Sequence, residues 1–197
     1  LRFFREQSPT LELGFLLSVL WKKNDHYEMF PTHTKELVMS IYSELSQQYK
    51  TSFAKQQARL HLMANAANAF TVGFERYLGV PDHTWTDSKG EQQRYVRLGV
   101  GDENAFQEIS YLELSSIGGV IDFSIALTVE QDAHFGLRQV VVFEFSVSVS
   151  EENFEFVVKK MPINLSVKML DKDAHRFDPV YAALVDRLMY LFDPERV

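Results

Sequence analysis

The segment Asp171-Lys172-Asp173-Ala174-His175-Arg176-Phe177-Asp178 sets carboxylates at alternating positions around one imidazole. Hard oxygen donors with a nitrogen beside them suit a divalent cation, so Asp171, Asp173, His175 and Asp178 form a candidate metal set. A calcium loop of EF-hand type needs a glycine at its sharp turn and a distal glutamate, and neither is in place. The competing account is a solvated turn in which Asp178 caps a following helix. A second candidate is the loop Pro81-Asp82-His83-Thr84-Trp85-Thr86-Asp87. An aspartate beside a histidine can orient the imidazole as a general base. A tryptophan on a long loop is a contact residue in waiting. Asp82, His83, Trp85 and Asp87 are therefore the candidate binding residues, although no nucleophile is placed beside His83. Trp85 serves equally well as a plug for the open end of a core.

A third pair, Asp122 and Glu144, falls on two strands that read as neighbours. Metal-dependent nucleases combine an aspartate with a Glu-x-Lys whose lysine assists the attacking water. Here Ser146 stands where that lysine is needed, and strand alternation demands a polar residue at both acidic positions anyway. The other histidines (His26, His33, His61 and His134) are scattered, with no His-x-x-x-His spacing between them. No phosphate-cradling Gly-x-x-x-x-Gly-Lys, dinucleotide-type Gly-x-Gly-x-x-Gly or Gly-x-Ser-x-Gly elbow occurs. No residue is assigned a catalytic role and no cofactor is expected.

The elements that must position these residues divide near residue 92, helical before and strand-like after. Ser8-Pro9 reads as a cap with proline at the first helical position, and Leu13, Leu16, Leu17, Leu20 and Trp21 make one apolar stripe. Asp25 to Thr32 is a connection. From Thr34 to Leu78 apolar residues recur at steps of three and four, from Val38, Ile41, Leu45 and Tyr49 to Phe70, Phe74 and Tyr77. A break is expected at Lys50-Thr51-Ser52, with one bent helix as the alternative, and Gly79 is the expected stop. The small residues from Ala64 to Ala69 invite close approach of a neighbour.

Val80 to Gln92 is the longest expected loop. Strands are expected over Arg94–Val100, Phe106–Leu114, Val120–Glu130, Arg138–Ser150, Phe154–Lys160 and Ile163–Met169. The two longest alternate cleanly: Ile121, Phe123, Ile125, Leu127 on one and Val141, Phe143, Phe145, Val147 on the other point one way, with polar and small residues opposite. Short turn-rich connections rule out parallel crossovers, and Pro162 marks the last strands as an edge. Asp178-Pro179 opens a final helix. The fold class is therefore α+β. A helical N-terminal half packs on a curled antiparallel β-meander of five to six strands, and a C-terminal helix closes it. Residues 1–197 form a single domain, with 1–79 mainly helical, 93–169 the sheet and 179–192 the last helix.

A hydrophobic fraction of 46% with 16 phenylalanines supports a sizeable core. A net charge of −7 argues against broad nucleic-acid binding and against docking on anionic lipid. The absence of cysteine excludes disulfides, zinc-thiolate sites and thiol nucleophiles. Leu11 to Trp21 is far short of the ~20 apolar residues that span a bilayer, so no membrane partner is expected. The cytoplasm is the expected location. The chain begins at Leu1 instead of methionine, which leaves room for a segment upstream. The leading expectation is a non-catalytic accessory factor acting by protein–protein contact, with a homodimer through the helical seam Val38–Tyr77. One alternative is a carrier holding a hydrophobic ligand between helix and sheet, among Phe70, Phe74, Phe123, Phe143 and Phe145. The other is a small metal-dependent hydrolase.

Overall fold

The computed structural model describes residues 33–80, 82, 84–87, 89–132 and 137–196. The helix expected after Ser8-Pro9 and the connection Asp25–Thr32 lie outside these residues, as do His83 and His134. The chain divides into two compact units, Leu1–Tyr49 and Lys50–Val197. The described residues of the first unit, 33–49, are all helical.

Helix α1 runs from His33 to Leu78 without the break expected at Lys50-Thr51-Ser52. Residues 33–72 contain neither glycine nor proline, so nothing interrupts the hydrogen-bond ladder. The propensity penalties of Thr51 and Ser52 are only a few tenths of a kcal/mol each, ~0.5 against alanine. Gly79 ends the helix with φ +62°, a conformation that costs other residues far more.

The second unit is α+β. Its main sheet has seven strands: β3 (Val96–Val100), β4 (Gln107–Glu108), β5 (Ser116–Ile117), β6 (Val120–Asp132), β7 (Leu137–Ser150), β8 (Asn153–Val158) and β9 (Ile163–Lys168). They lie in the order β4-β3-β6-β7-β8-β9, with β5 beside β6, and every pairing is antiparallel. The long pair β6 and β7 is in register through Phe123↔Phe145 and Ile125↔Phe143, which puts all the large apolar side chains of both strands on one face. The pairing shifts register between Glu130 and Asp132, near the β6–β7 turn. β9 is the edge, as Pro162 implied.

Two expectations give way. Phe106–Leu114 does not form one strand: after β4 the chain turns through a 3-10 helix, Tyr111–Glu113. Ser110 and Glu113 hold it as a reciprocal capping box, a Ser-x-x-Glu signal that local hydrogen bonding satisfies better than a sheet would. Val80–Gln92 is also not all loop, because Thr84–Thr86 (β1) pairs with Gln92–Arg94 (β2) as a small separate hairpin. The strand count thereby exceeds the five or six expected.

Helix α2, Asp178–Leu191, and the C-terminal part of α1 cover the apolar face of the sheet. Phe70 stands at the centre, with ring centroids 5.0–5.2 Å from Phe145, Phe156, Phe177 and Tyr181. Aromatic pairs at such separations add about 0.5–1.5 kcal/mol each beyond their buried area. Ala64, Ala66 and Ala67 are buried, so the small-residue stretch does bring α1 close to its neighbours. Among the α1 side chains described, from Ile41 on, the first buried one is Met63. The helical half was expected to pack on the sheet, yet Phe53 and Leu62 of α1 are half-exposed.

Candidate functional site

Residues 171–178 fold into a run of local turns. The Asp171 carboxylate accepts the Asp173 N–H at 2.9 Å, and the Asp173 carboxylate accepts the His175 N–H at 3.0 Å. Asp178 holds the His175 ring through Nδ1 at 2.8 Å. Aspartates that bond backbone two residues on are building turns, and here the acidic groups are spent one after another along the chain instead of converging. Among the described residues no three His, Cys, Asp or Glu side chains come together in a way that would hold a metal ion. Asp178 does not cap the helix either. Phe177 occupies the cap position without a side-chain bond, and Asp178 sits in the first turn, where its charge favours the helix dipole.

In the second candidate, Asp87 is a turn-builder as well. Its carboxylate accepts the N–H groups of Lys89 and Glu91, each at 2.8 Å, and closes the β1–β2 hairpin. The Glu91 bond is the leading cause that lowers the Asp87 pKa, with Lys89 and Gln93 adding to it and desolvation opposing. Trp85 lies under the Arg138 guanidinium, 4.0 Å from ring centroid to carbon. Its indole N–H is buried without a hydrogen-bond partner. Arg138 is itself ion-paired with Glu130 at 3.0 Å. Asp82 is exposed, and His83 lies outside the described residues. The loop thus separates into a hairpin turn at Asp87 and a cation–π contact at Trp85.

The outer face of the main sheet brings in two residues that the sequence did not point to. Lys159 pairs with Asp122 at 2.9 Å, and Lys160 pairs with Glu144. The lysine missing from the Glu-x-Lys pattern is therefore replaced in space by two lysines from the end of β8. A backbone bond from Lys159 N–H to the Glu144 carbonyl at 2.8 Å fixes their approach. Only the register of β7 against β8 (Phe145↔Val158) reveals this, because nothing local in the sequence couples residue 144 to residue 159. The hydrogen bond to Glu144 raises the Lys160 pKa, so its ammonium stays charged and serves to neutralise the carboxylate. Asp122, Glu144 and Lys159 border a cleft of about 580 Å³. Not all the hydroxyls on this face of β6 are open to solvent. Ser124 and Thr128 are buried, with Ser124 donating to the Gly101 carbonyl at 2.5 Å.

A different opening lies at the end of α2. Leu78 and Val80, Leu127 and Val129 of β6, and Val185, Leu188, Met189 and Phe192 line a groove of about 380 Å³. Its one charged wall is Glu130, whose carboxylate accepts from the Tyr95 phenol at 3.0 Å as well as from Arg138. Met189 is 71% exposed and Leu191 46%, so the apolar surface continues onto the helix beyond the groove. Periodicity marks α2 as amphipathic but cannot show this, since Met189 reads as one more apolar residue until its neighbours are known. No known protein family, curated protein or solved structure matches this chain. Among the described residues no helix is long and apolar enough to cross a membrane.

Proposed function

We propose that the protein is a non-catalytic interaction factor, and that the groove between α2, Val80 and β6 seats an apolar segment of a partner protein. The observation that carries this is the run from Leu188 to Phe192. Leu188 is buried at the groove while Met189, Leu191 and Phe192 remain 71%, 46% and 38% exposed. Isolated exposed apolar residues need no explanation, but a contiguous apolar surface beside a concave one is the usual sign of an interface. The polar rim at Glu130 and Tyr95 would orient what binds. The hydrophobic-carrier reading gains less support. Phe70, Phe74, Phe123, Phe143 and Phe145, the side chains that would line its cavity, are each at most 6% exposed and belong to one packed cluster. The groove that does exist opens to solvent, whereas pockets for small ligands enclose about 70–90% of the ligand surface.

Selection of displayed peptides against the whole chain tests the proposal. Peptides with two or more large apolar residues at helical spacing should be enriched. On titration they should shift the resonances of Val129, Val185 and Leu188. Met189→Glu, an exposed change that leaves the fold intact, should abolish the binding. Enrichment of peptides that bind Met189→Glu equally well, or no enrichment at all, would overturn the assignment.

A further inference from the structure

A second groove of about 330 Å³ runs between α1 and the turns after β9, bordering the aromatic core at Phe177. None of its residues belongs to the apolar groove. Three cations line it, Arg76, Lys172 and Arg176, against one carboxylate, Asp173. Asp173 is already engaged by the His175 N–H, and the nearby Asp171 and Asp178 carboxylates are taken by Asp173 N–H and His175. Among the described residues, none of the three cations has a carboxylate within ion-pair distance. This is an unusual concentration in a chain of net charge −7. Three cations against the one carboxylate of Asp173 leave the lining with an excess of positive charge, which favours an anion placed among them.

Arg176 is also held in place. One of its nitrogens donates to the Asp171 carbonyl, and the guanidinium lies over the Phe177 ring at 4.7 Å. A guanidinium fixed in this way loses little entropy when it binds an oxyanion, and its planar fork matches two oxygens at once. The floor between the cations is made of Ala69, Gly73 and Ala174, which leave the space open. Arg76 also complements the C-terminal end of α1, but that accounts for one of the three charges and for none of the cavity.

We propose that this groove binds a phosphate dianion, either free phosphate or the terminal phosphate of a small phosphorylated molecule, between Arg76, Lys172 and Arg176. The test is a nuclear magnetic resonance titration of the whole chain with inorganic phosphate, and separately with glycerol phosphate, against chloride at matched ionic strength. Saturable shifts are expected at the amides of Ala69, Gly73 and Ala174. Arg76→Gln and Lys172→Gln, both exposed positions, should each weaken binding about tenfold, the effect of losing one charge-assisted contact. Lys172→Arg should preserve it, and Lys159→Gln on the outer sheet face should leave it unchanged. Tighter binding of glycerol phosphate with added shifts at Val72 would support the phosphorylated molecule, and equal binding would support free phosphate. Shifts that chloride reproduces, that do not saturate, or that survive in both glutamine variants would overturn the proposal.

Discussion

Gly73→Ala should destabilise the protein, although glycine to alanine inside a helix ordinarily gains about 1 kcal/mol. The reason is Tyr181. A Cβ at position 73 would lie 2.3 Å from the Tyr181 hydroxyl oxygen and 3.2 Å from the ring carbon that carries it. The ring has no route of escape, because it is 1% exposed and packed 5.0 Å from Phe70, 5.5 Å from Phe74 and 6.0 Å from Phe177. Its hydroxyl donates to the Phe70 carbonyl at 2.7 Å, and burial pushes the phenol pKa far up, so it remains a neutral donor. Overpacking a filled core costs about 1–3 kcal/mol, and displacing the hydroxyl forfeits about 1 kcal/mol more. Net of the helix gain, Gly73→Ala should lose about 2 kcal/mol. Tyr181→Phe removes only the hydrogen bond, since a mid-helix carbonyl keeps its own N–H partner, and should lose about 1 kcal/mol. With the hydroxyl gone, the new methyl meets nothing closer than 3.2 Å. The double variant should therefore lose about 1 kcal/mol or less, where additivity demands about 3. Urea unfolding followed by circular dichroism measures all four corners of this cycle through midpoints at constant slope. A neutral Gly73→Ala, or losses that simply add, would refute the reasoning.

Phe70→Ala should cost about 3–5 kcal/mol in the same assay, as expected for a phenyl ring removed from a filled core, while Leu62→Ser, half-exposed on the same helix, should stay within about 0.5 kcal/mol. Comparable losses at both positions would contradict the observed start of burial at Met63. The lowered Asp87 pKa predicts a pH effect on the β1–β2 hairpin. A carboxylate whose folded pKa is depressed contributes stability above its unfolded value, about 3.9, and loses it as pH falls through the folded value. The amide resonances of Lys89 and Glu91 should therefore keep their positions down to about pH 4 and move together below it; a common midpoint above the ordinary carboxylate range would show that the turn does not depend on the charge.

The α+β class, the helical spacing from Thr34 to Leu78 though not its continuity through Lys50-Thr51-Ser52, the Gly79 stop, the alternating pair β6 and β7 and the final helix were legible in the sequence. Each rests on short-range signals: a period of two or 3.6, a glycine at a left-handed turn, a proline in a first helical turn. The misreadings at Phe106–Leu114 and Val80–Gln92 arose where local polar chemistry competed with alternation. A capping box won in the first, and a hairpin closed by Asp87 won in the second.

The candidate sites were less legible because chemistry depends on which side chains converge. Asp171, Asp173, His175 and Asp178 have the residue types of a metal set, and spacing could not reveal that Asp171 and Asp173 each accept a backbone N–H two residues on while Asp178 meets the His175 ring. Lys159 and Lys160 come to Asp122 and Glu144 only through the register of β7 against β8. What the sequence determined by itself was the pattern of dry and wet faces, since periodicity is a property of neighbours along the chain. Which dry surface would remain uncovered at Met189, and which cations would gather unpaired around Gly73, was decided only by the tertiary structure. Packing and Coulomb energies depend on distances between residues about 100 positions apart, such as Arg76 and Arg176, and no local signal encodes them.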